Sequence, residues 1–161
     1  MAQIDQASTG QDLEAVRSLF QEYADSLGVD LNYQGFDHEV RDLPGDYAPP
    51  TGTLLLARSD GAIVGCVGVR ALDERTAEMK RLYVRPAGRG LGLGRTLTEA
   101  AIAFARDAGF RCLRLDTLPQ MQRAQELYRS LGFATIEPYR YSAVPGTVYM
   151  ELVLRGHVPE L

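Results

Sequence analysis

The segment Arg89-Gly90-Leu91-Gly92-Leu93-Gly94-Arg95 sets three glycines at alternate positions between two arginines, just ahead of a stretch with helical periodicity. Alternate glycines let a backbone come close to a ligand. The helix they open turns its unbonded N–H groups and positive dipole end toward the same point. Such a place suits an anion, most simply a phosphate or pyrophosphate, and Arg89 and Arg95 could add charge-assisted hydrogen bonds to it. Two familiar nucleotide loops do not fit. No Lys-Ser/Thr follows the last glycine, as a Walker A loop requires, and Arg-Thr-Leu after Gly94 breaks G-x-G-x-x-G spacing. The bland alternative is a tight strand-to-helix turn, but a turn calls for one or two glycines rather than three between arginines.

A strand must deliver this loop and a helix must leave it. Thr53 to Arg58 and Ile63 to Arg70 are strand-like runs joined by Asp60-Gly61, a hairpin signal, and Glu78 to Val84 extends the meander to Arg85-Pro86. After the loop, Leu93, Leu97, Ala100, Ala101, Phe104 and Ala108 share one helical stripe, with Gly109 at the C-cap. Cys112 to Thr117 then reads as a buried strand, parallel to Glu78–Val84 because a helix connects them. A helix from about Gln120 to Leu131 and strands near Phe133–Tyr139 and Thr147–Leu154 complete the chain. Upstream, Ser8 or Thr9 starts a helix with Leu13, Val16, Leu19, Phe20 and Tyr23 at helical spacing, ending by Gly28. The stretch from Val29 to Gly52, with three prolines, reads as a long irregular connection, and Tyr33, Phe36, Asp37 and Tyr47 within it are expected to wall a substrate site. The fold class is α+β: one domain over residues 1–161, a mixed, mostly antiparallel sheet flanked by helices.

Bulk properties narrow the function. The chain has 161 residues, 45% of them hydrophobic, enough for one core. A formal charge of −4 argues against general affinity for nucleic acid, although a local basic patch stays open. Cys66 and Cys112 each sit in an apolar run and read as buried free thiols, in keeping with a cytoplasmic location. No signal-like N-terminus and no run of about 20 apolar residues is present, so neither export nor a membrane span is expected. No metal site is expected. The tail from Arg155 is expected to be loosely ordered, and the C-terminal strands offer an edge for a homodimer.

At the glycine segment the chain resembles the GCN5-related N-acetyltransferases, the GNAT superfamily. Arg89, Gly92 and Gly94 meet that family's Arg/Gln-x-x-Gly-x-Gly/Ala signature. Upstream, Glu78-Met-Lys-Arg-Leu-Tyr-Val-Arg-Pro86 looks like its fourth strand. Downstream, Ala124-x-x-Leu-Tyr128-x-x-x-Gly-Phe133 looks like its later helix and following strand. The resemblance implies that the loop from Arg89 to Arg95, including Gly90, Leu91 and Leu93, binds the pyrophosphate of acetyl-coenzyme A. It also implies that the fourth and fifth strands splay, and that backbone groups of Leu82, Tyr83 and Val84 bond the pantetheine arm. Thr117 is a further coenzyme candidate. Tyr128 matches the tyrosine that protonates the departing thiolate; by spacing alone the reading of a core partner of Ala124 and Leu131 is the favoured one, and the family position reverses that preference. Met121 departs from the pattern, since many members carry asparagine there, which leaves that coenzyme contact open.

The implied acceptor is the amine of a small molecule. An alkylamine is neutral in only about one molecule in 2,500 at pH 7, a cost of about 4.6 kcal/mol, so some group must take a proton. Glu78 is the expected base, directly or through water, with a strand carboxylate paired to Lys80 or Arg111 as the alternative and Asp37 and His38 as rivals. A coenzyme-binding sensor without catalysis and an acetyltransferase acting on a protein amine stay open as other functions. If the glycine loop holds the pyrophosphate, Gly92→Glu places a carboxylate against it. Calorimetry should then find acetyl-coenzyme A binding abolished with an unchanged circular dichroism spectrum, and retained binding would remove the loop from the site.

Overall fold

Seven strands form one sheet in the computed structural model, which describes residues 2–154. In chain order the elements are β1 (Ala2–Gln6), α1 (Gly10–Leu27), α2 (Phe36–Arg41), β2 (Thr53–Ser59), β3 (Ala62–Ala71), β4 (Thr76–Val84), α3 (Leu93–Asp107), β5 (Cys112–Thr117), α4 (Gln122–Ser130), β6 (Ala134–Ile136) and β7 (Val148–Val153). The sheet order is β1-β2-β3-β4-β5-β7-β6, and β4–β5 is parallel while the other pairs are antiparallel. This is the expected α+β class. The tail from Arg155 lies outside the described residues, and among those described no helix is long and apolar enough to cross a membrane.

Local signals account for most boundaries. Thr9 Oγ1 accepts the Asp12 N–H at 3.0 Å while the Asp12 carboxylate accepts the Thr9 N–H at 3.3 Å, a reciprocal cap on α1. Gly28, at φ 68°, ends that helix. Two elements depart from the sequence reading. β1 has little β-propensity and exists because its backbone pairs with β2, from Ala2↔Ser59 to Gln6↔Leu55. The stretch from Val29 to Gly52, expected to be irregular, contains α2 between two short 3₁₀ turns at Leu31–Gln34 and Gly45–Tyr47.

The sheet separates two cores. Leu97, Ala101 and Ala105 of α3 pack with Val67, Val69, Met79, Leu113 and Tyr128 on one side; Val16, Leu19 and Phe20 of α1 pack with Phe36, Tyr47, Leu56 and Cys66 on the other. Tyr47 lies flat enough on β3 that a Cβ at Gly68 would come within 2.7 Å of its ring, so Gly68 makes room for it. The Tyr47 ring packs edge-on against Phe20 at 5.9 Å and its hydroxyl donates to Glu39 Oε2 at 2.9 Å.

Glu39 is the hinge of this arrangement. Its two oxygens accept from Arg81 Nε at 2.9 Å and Nη2 at 3.0 Å, a bidentate pair in which the arginine side chain is 2% exposed and the glutamate 10%. Burial opposes the charge on Glu39, but Arg81, Lys80 and the Tyr47 hydroxyl outweigh it and hold the carboxyl below its ordinary range. Arg81 sits at φ 60°, uncommon for a residue with a side chain, and its guanidinium covers the Phe36 ring at 5.1 Å. Removing one member of such a pair strands a buried charge. Glu39→Gln should lower the unfolding free energy in urea by about 3–5 kcal/mol, and adding Arg81→Met should restore much of it; a loss below about 1 kcal/mol would show that the pair does not hold the fold.

Candidate active site

β4 and β5 pair only at Thr76↔Cys112, Ala77↔Leu113 and Glu78↔Arg114, although both strands run on. Each remains tied to its outer neighbour: β5 pairs with β7 as far as Thr117↔Val148, and β4 pairs with β3 as far as Val84. The β3–β4 register shifts between Gly68↔Lys80 and Cys66↔Tyr83, so Arg81 and Leu82 together oppose Val67. That is a bulge, and a bulge bends its strand. Beyond Glu78 the strands diverge around a cavity of about 430 Å³, edged by Met79 to Leu82 on one lip and Leu115 to Leu118 on the other. Backbone groups on these inner edges have no ladder partner, which suits an extended ligand carrying amides.

The glycine loop lies beside this opening. Gly92, at φ 70°, is the N-cap of α3 without any side-chain cap, and Gly90 has φ 84°. Thr96 is the first α3 residue whose N–H returns to the loop, at Gly92 O (3.1 Å). The Leu93, Gly94 and Arg95 N–H groups are therefore directed outward at the positive end of a 15-residue helix. Arg89, Gly90, Leu91 and Gly92 are exposed, Leu93 is buried in the core, and Arg95 donates to Ser130 Oγ at 2.9 Å. Backbone amides, open glycines and an exposed Arg89 fit a pyrophosphate, so these residues would hold that part of acetyl-coenzyme A.

The cavity draws walls from both faces of the sheet. From α4 comes Tyr128, 5% exposed, its ring 5.6 Å from Phe133. Its hydroxyl makes no hydrogen bond among the described residues, on the wall of the cavity, and burial pushes the phenol well above its ordinary pKa, so it keeps its proton. Thr117 also lines the cavity, its hydroxyl 3.6 Å from Met121 Sδ. Leu82 lines the β4 lip, whereas Tyr83 leans on Tyr23 of α1 at 6.2 Å and Val84 packs on the α3 core.

From the opposite face come Tyr33, Gln34, Lys80 and Asp116. Lys80 is 4% exposed and donates to Gln34 Oε1 at 3.0 Å. Burial, reinforced by Arg81 and opposed by Glu78 and Asp116, lowers its pKa to about 8.

The remaining expected substrate residues lie elsewhere. Phe36 is buried under Arg81, Tyr47 is 1% exposed in the α1 core, and Asp37 is exposed on α2. His38 and Tyr47 border a separate cavity of about 290 Å³ beside Arg70. Glu78 does not line the opening. Fully buried, its carboxylate accepts from Arg70 Nε at 3.1 Å, from Arg140 Nη2 at 2.6 Å and from the Tyr139 hydroxyl at 2.6 Å. Burial favours its neutral form, but Lys80, Arg140, Tyr139 and Arg70 together hold it below the ordinary carboxylate range. Its lone pairs are taken, which leaves it poorly suited to receive a proton from a substrate.

Sequence reasoning missed Lys80, Asp116 and Gln34 as cavity residues, and Glu39 as the partner of Arg81. A signal existed for two of them. Strand alternation places Glu78 and Lys80 on one face of β4, and Arg114 and Asp116 on one face of β5. With Glu78↔Arg114 as the last rung, Lys80 and Asp116 are the pair that the next rung on that face would have joined.

Residues 13–133 match the model of the Acetyltransferase (GNAT) family. An uncharacterized N-acetyltransferase of Schizosaccharomyces pombe is 42% identical over 144 residues, covering 88% of each chain. Among solved structures, an acetyltransferase of Streptococcus agalactiae superposes with a TM-score of 0.78 at 22% identity, covering 95% of this chain and 98% of that one. An acetyltransferase of Salmonella typhimurium, solved with its cofactor acetyl-CoA, superposes with a TM-score of 0.67 at 22% identity, covering 99% and 98%. The chain belongs to the GNAT family and is an acetyl-coenzyme A dependent N-acetyltransferase.

Proposed function

We propose that this protein transfers the acetyl group of acetyl-coenzyme A to the amine of a small molecule, with Tyr128 as the general acid. The observation that carries this reading is the Tyr128 hydroxyl, protonated and without a partner among the described residues, in a cavity between diverging strands. Acetyl-coenzyme A supplies the activated thioester. Tyr128 O–H donates its proton to the sulfur as the C–S bond breaks and the N–C bond to the amine forms; the phenol then recovers a proton from solvent. The acceptor must lose a proton, and the half-buried carboxylate of Asp116 on the β5 lip receives it, directly or through water. Glu78, the base expected from sequence, is better placed to hold Arg70 and Arg140.

A cavity of about 430 Å³ shared with the coenzyme arm supports a small acceptor over a protein segment, and Tyr33, Leu27 and Leu31 give it an apolar wall. A coenzyme sensor without turnover would have no use for a lone buried phenol beside the opening. Tyr128→Phe keeps the packing on Phe133 and removes the proton. It should lower kcat by about 10²–10⁴-fold while acetyl-coenzyme A affinity, measured by calorimetry, changes less than about threefold. Unchanged kcat would remove Tyr128 from the chemistry, and equal loss of both would make it a packing residue. Asp116→Asn should lower kcat/KM most at low pH, where the acceptor is most fully protonated. A uniform loss across pH would indicate substrate positioning instead.

A further inference from the structure

The arginines on the acceptor side of the sheet that flank this opening each make an ion pair. Arg81 is held by Glu39, Arg70 and Arg140 by Glu78, and Arg114 by Glu151 with Nε at 2.7 Å from the carboxylate. Lys80 differs. Its ammonium has three donors, and among the described residues its side-chain bond goes to the neutral amide of Gln34. Gln34 is itself oriented, since its Nε2 donates to the Tyr33 hydroxyl at 3.1 Å. A cation with 4% exposure and no carboxylate within ion-pair distance among the described residues is an expensive thing to keep in a fold. It becomes favourable when an anion enters the cavity that Lys80 lines. Across the opening stands Asp116, the opposite charge on the opposite lip, without a direct ion pair to Lys80.

We propose that Lys80 is a carboxylate-recognition residue and that the acceptor is therefore an amino acid, its carboxylate bonded to Lys80 Nζ and its amine lying toward Asp116. The inference rests on the acetyl-transfer reading above. It gives a physical role to the Lys80–Gln34 bond, which ties the ammonium to a second residue of the cavity wall and leaves donors for the incoming anion. Specificity follows from the same logic. An acceptor lacking the carboxylate would leave the ammonium buried with no counter-charge, so simple alkylamines and amino-acid amides bind poorly.

The test is a free-thiol release assay with acetyl-coenzyme A against the twenty standard amino acids, β-alanine, the matching amino-acid amides and a set of alkylamines. At least one free amino acid should be acetylated with kcat/KM about 10²-fold above its amide. Lys80→Met should collapse that ratio toward one, mainly through KM, while Lys80→Arg should keep part of it. Lys80→Met also removes a buried charge without removing the apolar stem, so its melting temperature should not fall. A second measurement needs no variant. The N-acetylated product of the best amino acid carries the carboxylate without a titrating amine, and calorimetry should find its binding strongest below pH 8 and weakening above it, as Lys80 loses its proton. Glu78 and Arg81 from β4, Asp116 from β5 and Arg140 from the segment after β6 face the same ammonium. Glu78 is held below the ordinary carboxylate range and Arg81 and Arg140 are raised above their ordinary values, so these three stay charged while Lys80 titrates. Amides accepted as well as the free acids, or a ratio untouched by Lys80→Met, would overturn the proposal while leaving acetyl transfer standing. Thiol release with amines other than amino acids alone would do the same. Absence of release with every acceptor would overturn both.

Discussion

The site exists because β4 bends at Arg81. A strand that continued straight from Glu78 would keep pairing with β5 and close the sheet, leaving no opening for a ligand. The bulge puts two β4 residues against Val67 and sets Arg81 at φ 60°, a conformation that a residue with a side chain holds only when its surroundings insist. Here the surroundings are a bidentate bond from Glu39, the Phe36 ring under the guanidinium, and the Cys66 thiol 3.4 Å from the Arg81 carbonyl. Glu39 in turn is fixed by Tyr47, whose ring needs the missing Cβ of Gly68. The short helix α2 thus clamps the strand that makes the active site, although it supplies few of the cavity's walls.

Charge is distributed in the same spirit. The half-buried Glu39 and the buried Glu78 take up three arginines and tie α2, β3 and the segment after β6 to the face of β4. With those side chains engaged in ion pairs, the opening is left with few chemically active groups. Tyr128 sits on the α4 side, and Lys80 and Asp116 sit on the lips toward α1 and α2. In the proposed reaction, a proton donor on one side of the sheet and two opposite charges on the other divide the chemistry across the gap, with the thiol leaving toward α4 and the amine arriving from the face covered by α1.

What was legible in the sequence had local causes. The Thr9 cap, the Asp60-Gly61 hairpin with φ 52° and 80°, the glycine loop and the stripe of α3 all depend on neighbours within a few residues. The parallel placement of β4 and β5 followed from the intervening helix. What escaped depends on partners far along the chain. β1 is a strand only against β2. α2 begins at Gly35, which offers no capping side chain, so nothing marks its start. Glu39 and Arg81 meet across 42 residues. Tyr47 and Phe36 have the aromatic character of binding-site residues, yet they are core, because the sheet above α2 needed filling. The charges of Glu78 and Lys80 were visible but not their fates, which the bulge and the distant Arg140 decide.

The central claim is that acetyl-coenzyme A enters the opening between β4 and β5 with its pyrophosphate on the α3 loop. Amide hydrogen exchange read by mass spectrometry, with and without acetyl-coenzyme A, tests it most directly. Protection should rise in peptides covering residues 79–95 and 115–118 and remain unchanged in β1 and β2. Saturating binding that left those segments unprotected, or that protected the α2 region instead, would contradict the account.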